Sequence, residues 1–261
     1  MWDQFNSNYY SIFPVSDKQA YFKLSNSLIS IIRDEILSLT GHKFNDSIHN
    51  LHNILPLDLV NSVRYNSFLR FNSTVLHEQL FYLYQFFATH YFGQDIAVQK
   101  LVNLSIVPPY DPSSIIPFHS DINTGESLHQ VVVWIPFTDC IENDSVFIVG
   151  YEESMYIHET LPLYNTPFSP SFLSIQDSLK TKRYVPVMQG ELLFFSPILY
   201  HGSDVNTTSR TRISINFRIK SLFSPYTHHP CHGKGLNDFF IPILKSPITR
   251  IVDNYIPPVF K

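Results

Sequence analysis

Cysteine is scarce in this chain: Cys140 and Cys231 are all it has among 261 residues. Two cysteines make no disulfide framework for a protein this size, so stability must come from a packed core. Charge is thin as well, at 15% of residues with a formal net of −4 and no block of Lys or Arg. That excludes the electrostatic footprint of a nucleic-acid binder and a polybasic membrane patch. No window approaches the roughly 18 consecutive apolar residues of a membrane span. The opening "MWDQFNSNYYSIFPVSDKQ" lacks the basic and apolar regions of a signal peptide. The expectation is a soluble, cytoplasmic protein with no nucleic-acid or membrane partner. We find no internal repeat and no low-complexity linker.

What is present is a large apolar and aromatic complement. Hydrophobic residues make up 44% of the chain, with 22 Phe and 15 Tyr, enough for one substantial core rich in β-structure. A single domain over 1–261 is expected: a helical buttress at 1–96, a β core at 97–220 and a C-terminal wrap at 221–261. Ser16-Asp17-Lys18-Gln19 has the form of a capping box at a helix start. Behind it Leu24, Leu28, Ile31, Ile32 and Ile36 recur at helical spacing. A second helix is expected after Ser73, burying Val75, Leu76, Leu80, Leu83, Phe87 and Tyr91, with 41–56 as loop or short turns.

From about residue 97 the texture changes. "AVQKLVNLSIVPP", "QVVVWIPF", "DSVFIVGYE", "GELLFFSPILY" and "RTRISINFRIK" are short β-branched or aromatic runs broken by Pro, Gly, Asn and Asp. Short strands without long intervening helices predict a sandwich or jelly roll. Residues 151–186 read as a long insertion able to cover a site mouth. The tail, with six Pro beyond residue 221, reads as a surface wrap.

The chemistry concentrates around "PFHSDIN". His119 and Asp121 are two residues apart, so on a strand both would face one ion. Alone this pair is weak evidence in a chain with twelve His. His201, at the end of an apolar run in "SPILYHGSD", is a candidate third ligand. Two His and one carboxylate with open positions form the facial triad of non-heme Fe(II) oxygenases. In "RTRISINFRIK", Arg212, Ser214, Asn216 and Arg218 alternate with Ile213, Ile215, Phe217 and Ile219. That pattern fits a surface strand or a strand lining a polar cavity. In the second case Arg212 offers a planar fork to a carboxylate, with the Ser214 hydroxyl beside it. Arg210 and Arg218 read as solvated charges.

The order H-S-D at 119–121, His201, Arg212 after ten intervening residues, then Ser214, resembles the Fe(II)/2-oxoglutarate oxygenase pattern, in its phytanoyl-CoA dioxygenase-like branch. "VVVWIPFTDC" and "GELLFF…YHGS" resemble that branch too. "LSIVPPYDPSSIIPFHSD" and "SVFIVGYEES" are similar to oxygenases of bacterial carbohydrate-biosynthesis clusters, the streptomycin-cluster type. The likeness covers about residues 97–220. It implies a double-stranded β-helix (cupin-like jelly roll) and Fe(II) held by His119, Asp121 and His201. It also implies 2-oxoglutarate and O2 as cosubstrates, with Arg212 and Ser214 on the distal carboxylate. Ser203 and Asn103 are further cosubstrate candidates, and Asn123, Ser127, Gln130 and Trp134 substrate candidates. For Trp134, plain core packing is an equal reading.

The implied activity is oxidation of a C–H bond with release of succinate and carbon dioxide. Related halogenases carry a small residue where Asp121 stands, so hydroxylation or another C–H oxidation is expected. The expected substrate is a small polar metabolite: a sugar, nucleotide sugar or aminocyclitol. Alternatives are an acyl-thioester or peptide substrate, or a non-catalytic jelly-roll binding protein. A homo-oligomer stays open. "THHPCHGK" at 227–234 has zinc-type donors spaced too tightly for one tetrahedral site. Cys140 reads as a buried apolar residue.

Overall fold

A computed structural model describes residues 5, 7–74, 77–161, 175, 178–226 and 234–253. The main sheet has seven strands in the order β1-β7-β4-β9-β2-β10, with β3 also on β9, and every pairing is antiparallel. These are β1 (Tyr10–Pro14), β2 (Ile96–Gln99), β3 (Asn103–Val107), β4 (Gln130–Pro136), β7 (Glu191–Phe195), β9 (Arg212–Ser221) and β10 (Phe240–Leu244). A smaller sheet, β6-β5-β8, comprises β5 (Phe147–Ile148), β6 (Arg183–Tyr184) and β8 (His201–Gly202). Together they form the double-stranded β-helix of the cupin-like jelly roll.

Alternation along the long strand β9 places the layers. Ile213, Ile215, Phe217 and Ile219 are all buried in the core shared with helices α1 (Lys18–Thr40), α2 (Leu57–Thr74) and α3 (His77–Phe92). The opposite face of the sheet carries Val132, Trp134, Leu193 and Phe195, packed on Val146, Ile148 and Val185 of the smaller-sheet layer. The helices therefore seal one face, and the other is free to hold a site.

The helix stripe expected from Leu24 to Ile36 is the buried face of α1. Its N-cap is Asp17, not Ser16: Asp17 Oδ1 accepts from the amides of Gln19 at 2.8 Å and Ala20 at 3.0 Å. Ser16 instead uses its hydroxyl to accept from the amide of Phe86. In α3, Leu80, Leu83 and Phe87 are buried as expected, but Tyr91 is exposed. Val75 and Leu76 lie outside the described residues. Helix α2 was not foreseen, because its apolar residues are interleaved with Asn, Ser and Arg. Residues 41–56 do hold a short turn, the 3-10 segment Ile48–Asn53.

Two other expectations change. The run from 97 to 109 breaks at Lys100–Val102 into β2 and β3, which line up end to end along β9. The C-terminal segment is more than a wrap: β10 pairs with β2, and Phe240 is fully buried. Within 151–186 the described residues include helix α4 (Tyr151–Thr160) and β6. Helix α5 (Pro247–Asp253) follows β10. Among the described residues no helix is long and apolar enough to cross a membrane.

Candidate active site

Two backbone hydrogen bonds bring the halves of the site together. His119 N donates to His201 O at 3.0 Å, and His201 N donates to His119 O at 2.8 Å. Residues 82 positions apart in sequence thereby sit opposite each other, with ring centroids 4.3 Å apart. Gly202 makes this approach possible. A Cβ there would lie 2.8 Å from Ile116 O and 2.9 Å from the Phe147 ring. Ser203 then ties the same two segments, its hydroxyl accepting from Ile116 N at 2.9 Å.

Asp121 reaches the histidines by a turn and not along a continuous strand. It opens the 3-10 segment Asp121–Thr124, which Gly125 ends at φ 81°. Ser120 fastens the preceding backbone by donating to Pro197 O at 2.7 Å. Asp121 Oδ1 comes to rest 3.5 Å from His119 Nε2 and 3.7 Å from His201 Nε2. One donor atom from each of the three lies within 4.8 Å of the others.

The tautomers follow from the partners. His119 Nδ1 is 2.6 Å from Pro117 O and His201 Nδ1 is 2.9 Å from Leu199 O. A carbonyl only accepts, so Nδ1 carries the proton and Nε2 keeps a free lone pair. Burial, reinforced by the neighbouring His119, lowers the pKa of His201 to about 3, which keeps the ring neutral. Burial opposes the charge on Asp121, but Arg218 and the two histidines outweigh it and hold the carboxyl well below its usual range. A neutral imidazole at His201 and an ionised carboxylate at Asp121 are protonation states that a divalent metal requires of its ligands.

The pocket beside the triad has a volume of about 250 Å³. Its lining pairs polar Asn103, Ser105, Asn216 and Arg218 with apolar Ile116, Val132, Trp134, Val146 and Phe195. Asn103 Nδ2 donates to Asn216 Oδ1 at 2.7 Å, joining β3 to β9 across the floor. Next to this floor lie Ser214, which pairs with Ser105 in register, and Arg212. Arg212 is 1% exposed and uses Nη1 on Asp144 O at 3.2 Å. Its Nε and Nη2 have no partner, and neither does Ser214 Oγ. Buried donors left unpaired are costly. A cationic fork with an adjacent hydroxyl matches a carboxylate group in both charge and shape. The residues present therefore fit a divalent metal and, beside it, a dicarboxylate such as 2-oxoglutarate.

The remaining sequence candidates distribute unevenly. Asn103 and Trp134 line the pocket, and Trp134 also packs in the inter-sheet core. Ser203 does not line the pocket, because its hydroxyl is spent on the Ile116 amide. Asn123 donates to the Tyr200 hydroxyl at 2.9 Å and Ser127 to Pro225 O at 2.5 Å. Gln130 donates to Glu126. None of these three lines the pocket. Cys140 is buried, and desolvation raises its thiol to about 12, which rules out a thiolate nucleophile at neutral pH. In "THHPCHGK", His228, His229, Cys231 and His232 lie outside the described residues.

Arg218 is the residue the sequence reading misplaced. It is a solvated charge by composition, yet its side chain is only 11% exposed and binds Asp121 at 2.9 Å and Glu126 at 3.0 Å. The signal was available: Arg218 shares the inward face of β9 with Arg212, Ser214 and Asn216. Glu126 and Lys234, which complete this cluster, carried no motif.

Residues 69–214, more than half of the chain, match the family described as phytanoyl-CoA dioxygenase (PhyH). The chain belongs to the phytanoyl-CoA dioxygenase family. It is a non-heme, Fe(II)- and 2-oxoglutarate-dependent oxygenase. None of the curated proteins matches it. Among solved structures it is similar to AviO1 from Streptomyces viridochromogenes Tue57. Identity is 18% and the TM-score 0.53, with 86% of this chain and 95% of that one covered. It is also similar to the apo non-heme monooxygenase ThoJ, at 16% identity and TM-score 0.50, covering 94% and 83% of the two chains. A third is the epimerase SnoN in complex with Fe3+, alpha ketoglutarate and nogalamycin RO, at 13% identity and TM-score 0.50, covering 86% and 84%. At these identities the likeness establishes a common fold.

Proposed function

We propose that this oxygenase, acting in the cytoplasm, oxidises a C–H bond of a small polar metabolite: a sugar, nucleotide sugar or aminocyclitol. In this reading His119, Asp121 and His201 hold Fe(II), and Arg212 with Ser214 grips the distal carboxylate of 2-oxoglutarate. The observation that carries the site is the unpartnered, fully buried fork of Arg212, on the face of β9 that also bears Asn216 and Arg218 of the triad's pocket. What supports a polar substrate is the amide and hydroxyl floor of Asn103, Ser105 and Asn216 facing the triad. An acyl-CoA substrate calls for a basic entrance, and the chain has only 18 Lys and Arg in all.

When bound, Fe(II) supplies the activation of O2 that couples oxidative decarboxylation of 2-oxoglutarate to attack on the substrate. The protein's share is geometry and exclusion of water. His119 and His201 present Nε2 because Pro117 and Leu199 hold their Nδ1 protons. Val132, Val146, Trp134 and Phe195 wall the pocket with carbon. The Asn103–Asn216 pair supplies donor and acceptor groups for hydroxyls.

The test is succinate release from 2-oxoglutarate by the iron-loaded protein with ascorbate, screened against nucleotide sugars, aminocyclitols and acyl-CoA thioesters. Stimulation by a sugar-type compound, with the oxidised product found by mass spectrometry, supports the proposal. Stimulation confined to acyl-CoA would overturn the substrate class.

A further inference from the structure

Two arginines project from the same face of β9 and meet opposite circumstances. Arg212 has free donors, whereas Arg218 has none to spare. Arg218 Nε lies 3.1 Å from Asp121 Oδ2 and 3.0 Å from Glu126 Oε2. Nη2 lies 2.9 Å from both Asp121 oxygens. Nη1 reaches Gln99 Oε1 at 3.3 Å and Asn216 Oδ1 at 3.4 Å. Glu126 is itself fixed, taking Lys234 Nζ at 2.9 Å on Oε1 and the Gln130 amide on Oε2. A guanidinium restrained on every edge cannot turn toward a ligand, so Arg218 lines the pocket without serving as an anion site.

Its action falls on Asp121. Oδ1 is the oxygen near His119 and His201 Nε2 and takes one contact from Arg218, through Nη2, while Oδ2 takes both Nε and Nη2. A carboxylate so held offers a metal one oxygen. An unrestrained carboxylate could rotate and chelate through both, occupying a position that the cosubstrates need. We propose that Arg218 is a positioning residue that holds Asp121 to one-oxygen coordination and keeps that position open for 2-oxoglutarate and O2. Glu126 and Lys234 brace it. This inference rests on the reading of Asp121 as a metal ligand. It also states that the substrate draws no charge from Arg218, which leaves the amide and hydroxyl floor to recognise it.

The experiment titrates the full chain with Co(II), followed by visible absorption, and then adds 2-oxoglutarate, in wild type, Arg218→Met, Arg218→Lys and Asp121→Ala. Loss of an outer-sphere partner weakens metal binding by roughly 10- to 100-fold. Arg218→Met should show that loss, an altered Co(II) spectrum, and a diminished response to 2-oxoglutarate as Oδ2 swings onto the metal. Arg218→Lys should recover part of the affinity, because a point charge attracts the carboxylate without forking it. A merely structural role would lower the melting temperature and leave the Co(II) spectrum of the folded fraction untouched. A wild-type spectrum and affinity in Arg218→Met, with Co(II) binding abolished in Asp121→Ala, would overturn the role of Arg218 and spare the ligand assignment. Wild-type Co(II) affinity in Asp121→Ala would instead overturn the ligand assignment, and the inference with it. Should Arg218→Met fail to fold, Arg218→Lys decides: a changed spectrum supports the inference and an unchanged one ends it.

Discussion

Replacing Arg212 by methionine should move two quantities in opposite directions. In the free protein this guanidinium is buried with Nε and Nη2 unpartnered, held only through Nη1 on Asp144 O. An unsatisfied buried polar group costs about 1–3 kcal/mol. A methionine of similar length removes that burden and fills most of the volume. Without 2-oxoglutarate the variant should therefore be as stable as wild type, or more stable by up to about 2 kcal/mol. In a protein this size that is a rise in Tm of up to about 4 °C. With 2-oxoglutarate the sign reverses. Two charge-assisted hydrogen bonds at about 1.5–3 kcal/mol each are lost, weakening cosubstrate binding by roughly 10²- to 10⁴-fold. Wild type at a hundred times its Kd should gain about 2.7 kcal/mol from the ligand, and the variant almost nothing. Thermal scanning of both proteins with Co(II), with and without 2-oxoglutarate, measures all four states. A variant that melts several degrees early without 2-oxoglutarate yet keeps the full ligand-induced rise would refute the reasoning. Arg212 would then be a structural residue.

Three other perturbations probe the same architecture. Asp121→Ala should abolish Co(II) binding, read by absorption titration, and succinate formation together; turnover at wild-type rate would remove Asp121 from the ligand set. Gly202→Ala forces a Cβ to within 2.8 Å of Ile116 O, so it should cost roughly 1–3 kcal/mol in denaturant titration and weaken Co(II) binding by parting His119 from His201. His77 and His158 are half-buried, with pKa values depressed chiefly by desolvation. Their contribution to stability is complete above the ordinary His pKa near 6.5 and is lost as pH falls through that value toward their folded pKa values. Tm should accordingly drop between pH 7 and 5, and His158→Gln should flatten the profile; an identical slope in the variant would count against burial of His158 as a cause.

The local chemistry of the chain settled a good deal before any contact was known. Period-two alternation from Arg212 to Ile219 is set by backbone pleating, so the division of that strand into polar and apolar faces needed no tertiary information. The stripe from Leu24 to Ile36 is equally local, since every fourth side chain of a helix shares a face. The order of His119, Asp121, His201, Arg212 and Ser214 was legible as a pattern. Tertiary structure decided what those residues have to work with. The bridge that joins His119 to His201, and the close approach that only Gly202 permits, are long-range pairings that no short window encodes. Burial is likewise a property of the assembled sheet. By sequence Arg212 and Arg218 are two like charges six residues apart. The fold leaves one buried with open donors and surrounds the other with Asp121, Glu126, Gln99 and Asn216. Free energy in a low-dielectric interior depends on which partners are within reach, and only the folded chain places them there.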